Sequence, residues 1–236
     1  MNNQTYQTPY VVAAAPPEER AQFIRRTYAH LAGAILAFVL LEILIFQTPL
    51  AETLTRSLLG TRMGWLLVLG GFIAISWVAD KWASSTTSRG TQYLGLSLYV
   101  AAEAIIFVPL LYVAKKFSAP SVIPDAAIIT ALLVAGLFYT AATAKSEFSW
   151  LGGILRLGFF IALGIIVTSA IFGFDLGLLF SGAMVLLAGG SILYTTANIQ
   201  RVYSPQQHVA AALALFAGIA LLFWYVLQVL MSTSRR

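Results

Sequence analysis

Cysteine is absent from the 236 residues, so no disulfide framework and no thiolate metal site can form. Histidine is nearly absent. His30 and His208 have no second ligand at metal-binding spacing, which argues against a metal site. Charge is the decisive shortage: Asp, Glu, Lys and Arg make up 10 % of the chain, against roughly 25 % in a soluble domain. That is too little to coat a water-facing surface, and it excludes a disordered chain, a coiled coil and an ordinary cytosolic enzyme. Nor is there a basic stripe with interleaved aromatics, so the formal charge of +5 does not indicate nucleic-acid binding.

What is there in excess is apolar: 59 % of the residues are hydrophobic, and the excess must face something other than water, for which lipid is the obvious candidate. Reading the gaps between charges gives seven candidate spans of about 20 residues each. They run at about 27–46, 63–80, 93–114, 125–144, 151–174, 176–199 and 209–231. The expected fold is therefore an all-α integral membrane protein, a bundle of seven transmembrane helices in one domain over residues 23–236. The alternative is six spans and one re-entrant segment. Strands are not supported, because the runs are continuous and do not alternate. Thr48-Pro49, Ala119-Pro120, Ile123-Pro124 and Ser204-Pro205 fall between spans, where proline does least harm. No repeat relates the two halves, so an inverted-repeat transporter has little support.

Residues 1–22 are polar, contain Pro9, Pro16 and Pro17, and lack the apolar core of a signal peptide. They read as a short mobile tail ahead of the first span. With seven spans, the amino-terminal side collects Arg20, Arg25, Arg26, Lys81, Arg89, Lys145, Arg156 and Arg201. The opposite side collects Arg56, Arg62, Lys115, Lys116, Arg235 and Arg236. Eight against six favours a cytoplasmic amino terminus, and Arg25-Arg26 directly before span one is the strongest part of that argument.

An ionisable group inside a span costs about 2.5–3.5 kcal/mol at the bilayer centre by insertion scales, and usually faces the bundle interior. Glu103 lies near the middle of span three, six residues before Pro109. It reads either as a pore-lining or proton-binding carboxylate, or as a neutral acid bonded to a neighbouring helix. Glu42 lies nearer the end of span one, where it can reach the interface, and reads as structural. Arg156 is close enough to its helix end to snorkel to headgroups. Span six ends in a polar patch. Its Ser191, Thr195 and Asn198 share one helical face, suited either to a hydrated path or to bonds across helices. No GxSxG elbow, HExxH or phosphate-binding glycine loop is present, so no catalytic set and no cofactor is expected.

Several segments, taken together and in order, carry a resemblance. Phe23-Ile24-Arg25-Arg26-Thr27-Tyr28 opens span one, and Glu103-Ala104 with Pro109 is similar to a Glu-Gly-x4-Pro pattern in span three. Thr140, Thr143, Lys145, Glu147-Phe148-Ser149 and Leu151-Gly152-Gly153 form the junction of spans four and five. Leu193-Tyr194-Thr195-Thr196 with Ile199 ends span six, and Leu215 to Phe223 fills span seven. This set resembles the Bax inhibitor family, the transmembrane Bax inhibitor motif proteins, including its bacterial members, from about residue 23 onward.

The resemblance implies a multi-pass protein of the bacterial cytoplasmic membrane and an ion leak for calcium or protons. In the family, two aspartates on spans six and seven are thought to share a proton and gate that leak. Their aligned positions here are Thr195 and Gly218, and the span-seven asparagine becomes Leu221. Threonine and glycine cannot form a proton-sharing pair. Glu103 is then the main remaining deep carboxylate, with Thr195, Gly218 and Asn198 as companion positions. A second implication is a regulatory role, since some bacterial relatives are associated with a membrane-anchored ATP-dependent protease. The tail would be its handle.

Overall fold

A computed structural model describes residues 11–85, 88–143 and 148–234. Among them the chain is helical throughout. A single 3-10 turn, Val12–Ala14, precedes α1 (Pro17–Phe46), α2 (Leu50–Leu59), α3 (Arg62–Ala83) and α4 (Arg89–Phe117). After these come α5 (Val122–Thr143), α6 (Leu151–Phe172), α7 (Gly177–Val202) and α8 (His208–Ser234). Seven of these eight helices are long and apolar enough to span a membrane; α2, at 10 residues, is not.

Local chemistry sets the helix ends. Pro17 occupies the first helical position of α1, followed by Glu18 and Glu19, which suit the positive end of the helix dipole. These signals start α1 well ahead of the residue 27 expected from hydropathy. At α3, the Thr61 hydroxyl accepts from the Gly64 N–H at 2.9 Å. At α4, Ser88 accepts from the Thr91 N–H at 3.3 Å. α6 stops at Gly173, whose φ of 79° is the left-handed conformation that glycine adopts without penalty. The segment between spans one and two is not a plain loop. It holds α2, which packs against α4 and seats Ala51 and Thr55 in the interior.

The expected mobile tail is also modified. Residues 1–10 lie outside the described residues. Val12, however, is fully buried, and its N–H donates to the Tyr203 carbonyl at 2.9 Å. The Arg20 guanidinium donates back to the carbonyls of Ala13 and Ala15. From Val12 onward the chain is therefore anchored to the bundle.

The bundle has a clear inside. Of the apolar stretch of α8, 67 % is buried, and of α4, 61 %, against 6 % for α6. α8 is the axis, with α1, α4, α5 and α7 packed along it, and α6 sits outside against α3 and α7. Small residues permit the close approaches. Gly95 of α4 presses onto the backbone of α3: a Cβ there would lie 2.5 Å from the Ala79 oxygen and the Ala83 nitrogen.

Candidate functional site

Glu103 lies midway along α4, one of the two enclosed helices, and is 5 % exposed. Its Oε2 has no hydrogen-bond partner among the described residues. One turn away, Tyr99 is also buried, and its phenol lies within electrostatic range of Glu103 and of Ser76 and Asp80 on α3. Asp80, near the end of α3, is exposed and acts in turn on Tyr203 beyond α7. Burial, and then the negative charge of Asp80, push the Tyr203 hydroxyl up to about 12. A discontinuous series of polar groups thus runs from the amino-terminal end of the bundle to its middle.

The other three expected site positions lie on a different seam. Gly218 of α8 faces α7, where a Cβ would come within 2.9 Å of Ile192 Cγ1 and 3.4 Å of Ser191 Oγ. Thr195 follows one turn along α7. Tyr99 touches Phe216, and Phe107 touches Phe223 and Trp224, so Glu103 stands at about the depth of Gly218. Gly218 nevertheless faces α7, whereas Tyr99 and Phe107, one turn to either side of Glu103, meet α8 at Phe216, Phe223 and Trp224. Asn198 is buried, and its amide donates to the Tyr194 carbonyl of its own helix at 2.9 Å. Ser191 and Thr196 likewise donate to the carbonyls of Ala188 and Ile192. The polar patch of span six therefore satisfies its own backbone, and none of these bonds crosses to another helix.

Two features are not evident from the sequence. Glu42 does not reach an interface: it is 7 % exposed, and neither carboxyl oxygen has a partner among the described residues. A signal for it exists in the spacing. Phe23, Thr27, Leu31, Ala34, Phe38 and Glu42 recur every three or four residues, which makes one inward face of α1.

The second feature is the pairing of the histidines. His30 and His208 meet with ring centroids 4.9 Å apart. His30 Nδ1 lies 2.7 Å from the Arg26 carbonyl, which can only accept, so that nitrogen carries the proton. In the neutral ring, Nε2 then accepts from the Tyr93 hydroxyl at 3.1 Å. Among the described residues no three His, Asp or Glu side chains come together as a metal cage.

Beside the histidines, two loops are tied together. Gln92 donates to the carbonyls of Ser85 and Gln206, and Gln207 donates to that of Ser84. The amino-terminal end of the bundle is thereby closed by polar bonds.

Known proteins bear on this arrangement. The family described as "Inhibitor of apoptosis-promoting Bax1" matches residues 20–235. Bax inhibitor 1 of Schizosaccharomyces pombe is 28 % identical over 224 residues, covering 93 % of this chain and 79 % of that protein. Protein LIFEGUARD 4 of Arabidopsis thaliana is 28 % identical over 228 residues, covering 93 % and 88 %. An uncharacterized protein of Pseudomonas aeruginosa is 28 % identical over 169 residues, covering 69 % and 72 %. With the match running through all seven membrane-spanning helices, the chain belongs to the Bax inhibitor family.

Proposed function

We propose that this protein is a non-enzymatic ion leak of the bacterial cytoplasmic membrane, with its amino terminus in the cytoplasm, that handles protons or calcium through Glu103. The supporting observation is the Glu103 carboxyl itself, buried at mid-span on an enclosed helix with Oε2 unpartnered. A carboxyl at that depth is costly. Had it served as structural glue, it would spend its oxygens on a neighbouring helix. Leaving Oε2 free suits a group that binds and releases a cation.

Gating by the family's aspartate pair is not available here. Gly218 is a close-packing position against Ile192, and Thr195 supplies a hydroxyl without a charge. Asn198 spends its amide on its own helix. Glu103 is thus the residue on which this reading stands.

The test is flux of protons and calcium into proteoliposomes. Wild-type flux above that of empty liposomes, lost in E103Q, is the expected result. Flux equal to empty liposomes across the acid-to-neutral range sinks the idea.

A regulatory role with a membrane-bound protease has less support, because Val12 is held at the bundle and shortens any cytosolic handle. Deleting residues 1–10 and measuring cellular half-life checks it. An unchanged lifetime counts against it.

A further inference from the structure

We infer that the aromatic pair Phe38–Phe107 is a gate for protons, set between two carboxylate stations, Glu103 on one side and Glu42 on the other. The inference rests on the reading of Glu103 above, adds Glu42 and the two rings, and names the proton as the ion.

The placement follows from the register of α1 and α4. Both run in the same direction. His30 meets Tyr93 at one end, Phe38 meets Phe107 in the middle, and Lys115 Nζ lies over the Phe46 ring at the other end. Glu103 precedes Phe107 by four residues on the inward stripe of α4, and Glu42 follows Phe38 by four on the inward stripe of α1. With a rise of about 1.5 Å per residue, the carboxyls stand about one turn above and one turn below the ring contact, roughly 12 Å apart along the axis.

Between them stands a cluster of aromatic rings, with the buried Thr130 of α5 lining the same cavity as Phe38, Phe216 and Phe223. The Phe38 and Phe107 rings meet edge to face at a centroid distance of 5.1 Å, and Phe38 meets Phe216 at 6.0 Å. Phe107 stacks on Phe223 at 5.8 Å and meets Trp224 at 4.9 Å. An apolar constriction of this kind blocks a path by excluding water.

The donor sets select the ion. Calcium takes six to eight oxygen ligands at once. Each carboxyl here stands alone at its own level, and no three His, Asp or Glu side chains gather among the described residues. A single carboxyl offers two oxygens, enough to bind one proton and too few to replace a calcium ion's shell.

The steps balance. A proton entering by Asp80 and Tyr99 converts the Glu103 carboxylate to the acid. When the rings part and water enters, Glu103 returns to carboxylate as Glu42 becomes the acid. Glu42 then releases its proton at the far end, towards Lys115. Asp80 and Ser76 of α3, Tyr99 of α4 and Lys115 are the polar groups that flank this line.

The experiment is proton flux into proteoliposomes carrying an internal pH dye, with potassium and calcium flux measured in parallel. F38A should raise proton flux several-fold, without potassium or calcium. F38A/E42Q and F38A/E103Q should each return to the level of empty liposomes. F38L, which keeps most of the side-chain volume, and E42Q in the otherwise wild-type chain serve if F38A does not fold.

A leak in F38A/E42Q equal to that in F38A overturns the proposal, as does a leak that also passes potassium. Loss of wild-type flux in E103Q with none in E42Q removes the gate and leaves the Glu103 reading standing. Flux unaffected by E103Q removes both.

Discussion

The most apolar stretches of helices α4 and α6 are of comparable hydropathy and both helices are long enough to span a membrane, yet α4 is mostly enclosed and α6 is almost wholly turned outward. Hydrophobicity does not separate them, because lipid tails receive a leucine as readily as a protein interior does. What separates them is close approach and polarity. α4 offers Gly95 to the backbone of α3 and carries Gln92, Tyr99 and Glu103 on the face turned inward. α6 exposes Phe159, Phe160 and Ile161 to the outside and has Ala162 as its buried residue. In this bundle the polar residues of α4 mark its inward face.

The sharpest way to break this contrast is to add one methyl group at the α3–α4 seam. In Gly95→Ala the new Cβ meets backbone atoms of Ala79 and Ala83 at 2.5 Å, and backbone cannot swing aside as a side-chain tip can. The helices must separate, and overpacking of that kind costs about 1–3 kcal/mol, here at the upper end. A large drop in the thermal midpoint of the detergent-solubilised protein is the expected result. An unchanged midpoint would show that the seam is loose.

A smaller loss is expected from Gln92→Ala. The amide joins the loop after α3 to the loop before α8 through the carbonyls of Ser85 and Gln206. Removing a buried donor that serves two acceptors costs about 1–3 kcal/mol. Towards mid-span the α4–α8 pairing is built on rings and aliphatic side chains, so local opening should appear first at the amino-terminal end. Hydrogen exchange at 204–208 that rises before exchange at 216–223 would confirm the order.

These two positions mark what a sequence can and cannot disclose. Seven apolar runs are visible in composition, because each must cover the thickness of a bilayer. Glu103 stands out because a carboxyl at mid-span is rare. Glu42 is harder to assign. Its distance from the helix end suggests an interfacial side chain, and only the angular register with Phe38 turns it inward. α2 is hidden because ten residues between spans are too few and too polar for a hydropathy argument. The meeting of His30 with His208, and the packing of Gly218 against α7, depend on which helices become neighbours. Apolar periodicity in a membrane leaves that open, since lipid and protein present the same surface to it.

A third effect is confined to alkaline solution. Burial and Asp80 raise the Tyr203 phenol from 10.0 to about 12. A raised folded-state value contributes stability that is fully present below the unfolded value, about 10, and is lost as pH rises through about 12. Tyr203→Phe should therefore flatten the decline of the thermal midpoint between pH 10 and 12 and leave it unchanged at neutral pH. A parallel decline in both proteins would show that burial and Asp80 do not raise the Tyr203 hydroxyl in the folded protein.

The smallest effect, and the one of opposite sign, belongs to the outer helix. A Cβ added at Gly164 of α6 would meet nothing within 4 Å, in contrast to Gly95. Gly164→Ala should add a methyl group to lipid without a clash and gain helix propensity, up to about 1 kcal/mol in a helix interior. The thermal midpoint should stay level or rise slightly. If it falls by as much as in Gly95→Ala, the outward face of α6 is occupied by protein. A second copy of the chain would then be its first candidate partner, detectable as a shift in oligomer size between wild type and variant. Gly95 and Gly164 differ in the free space about them, and that difference tells the enclosed α3–α4 seam from the outward face of α6.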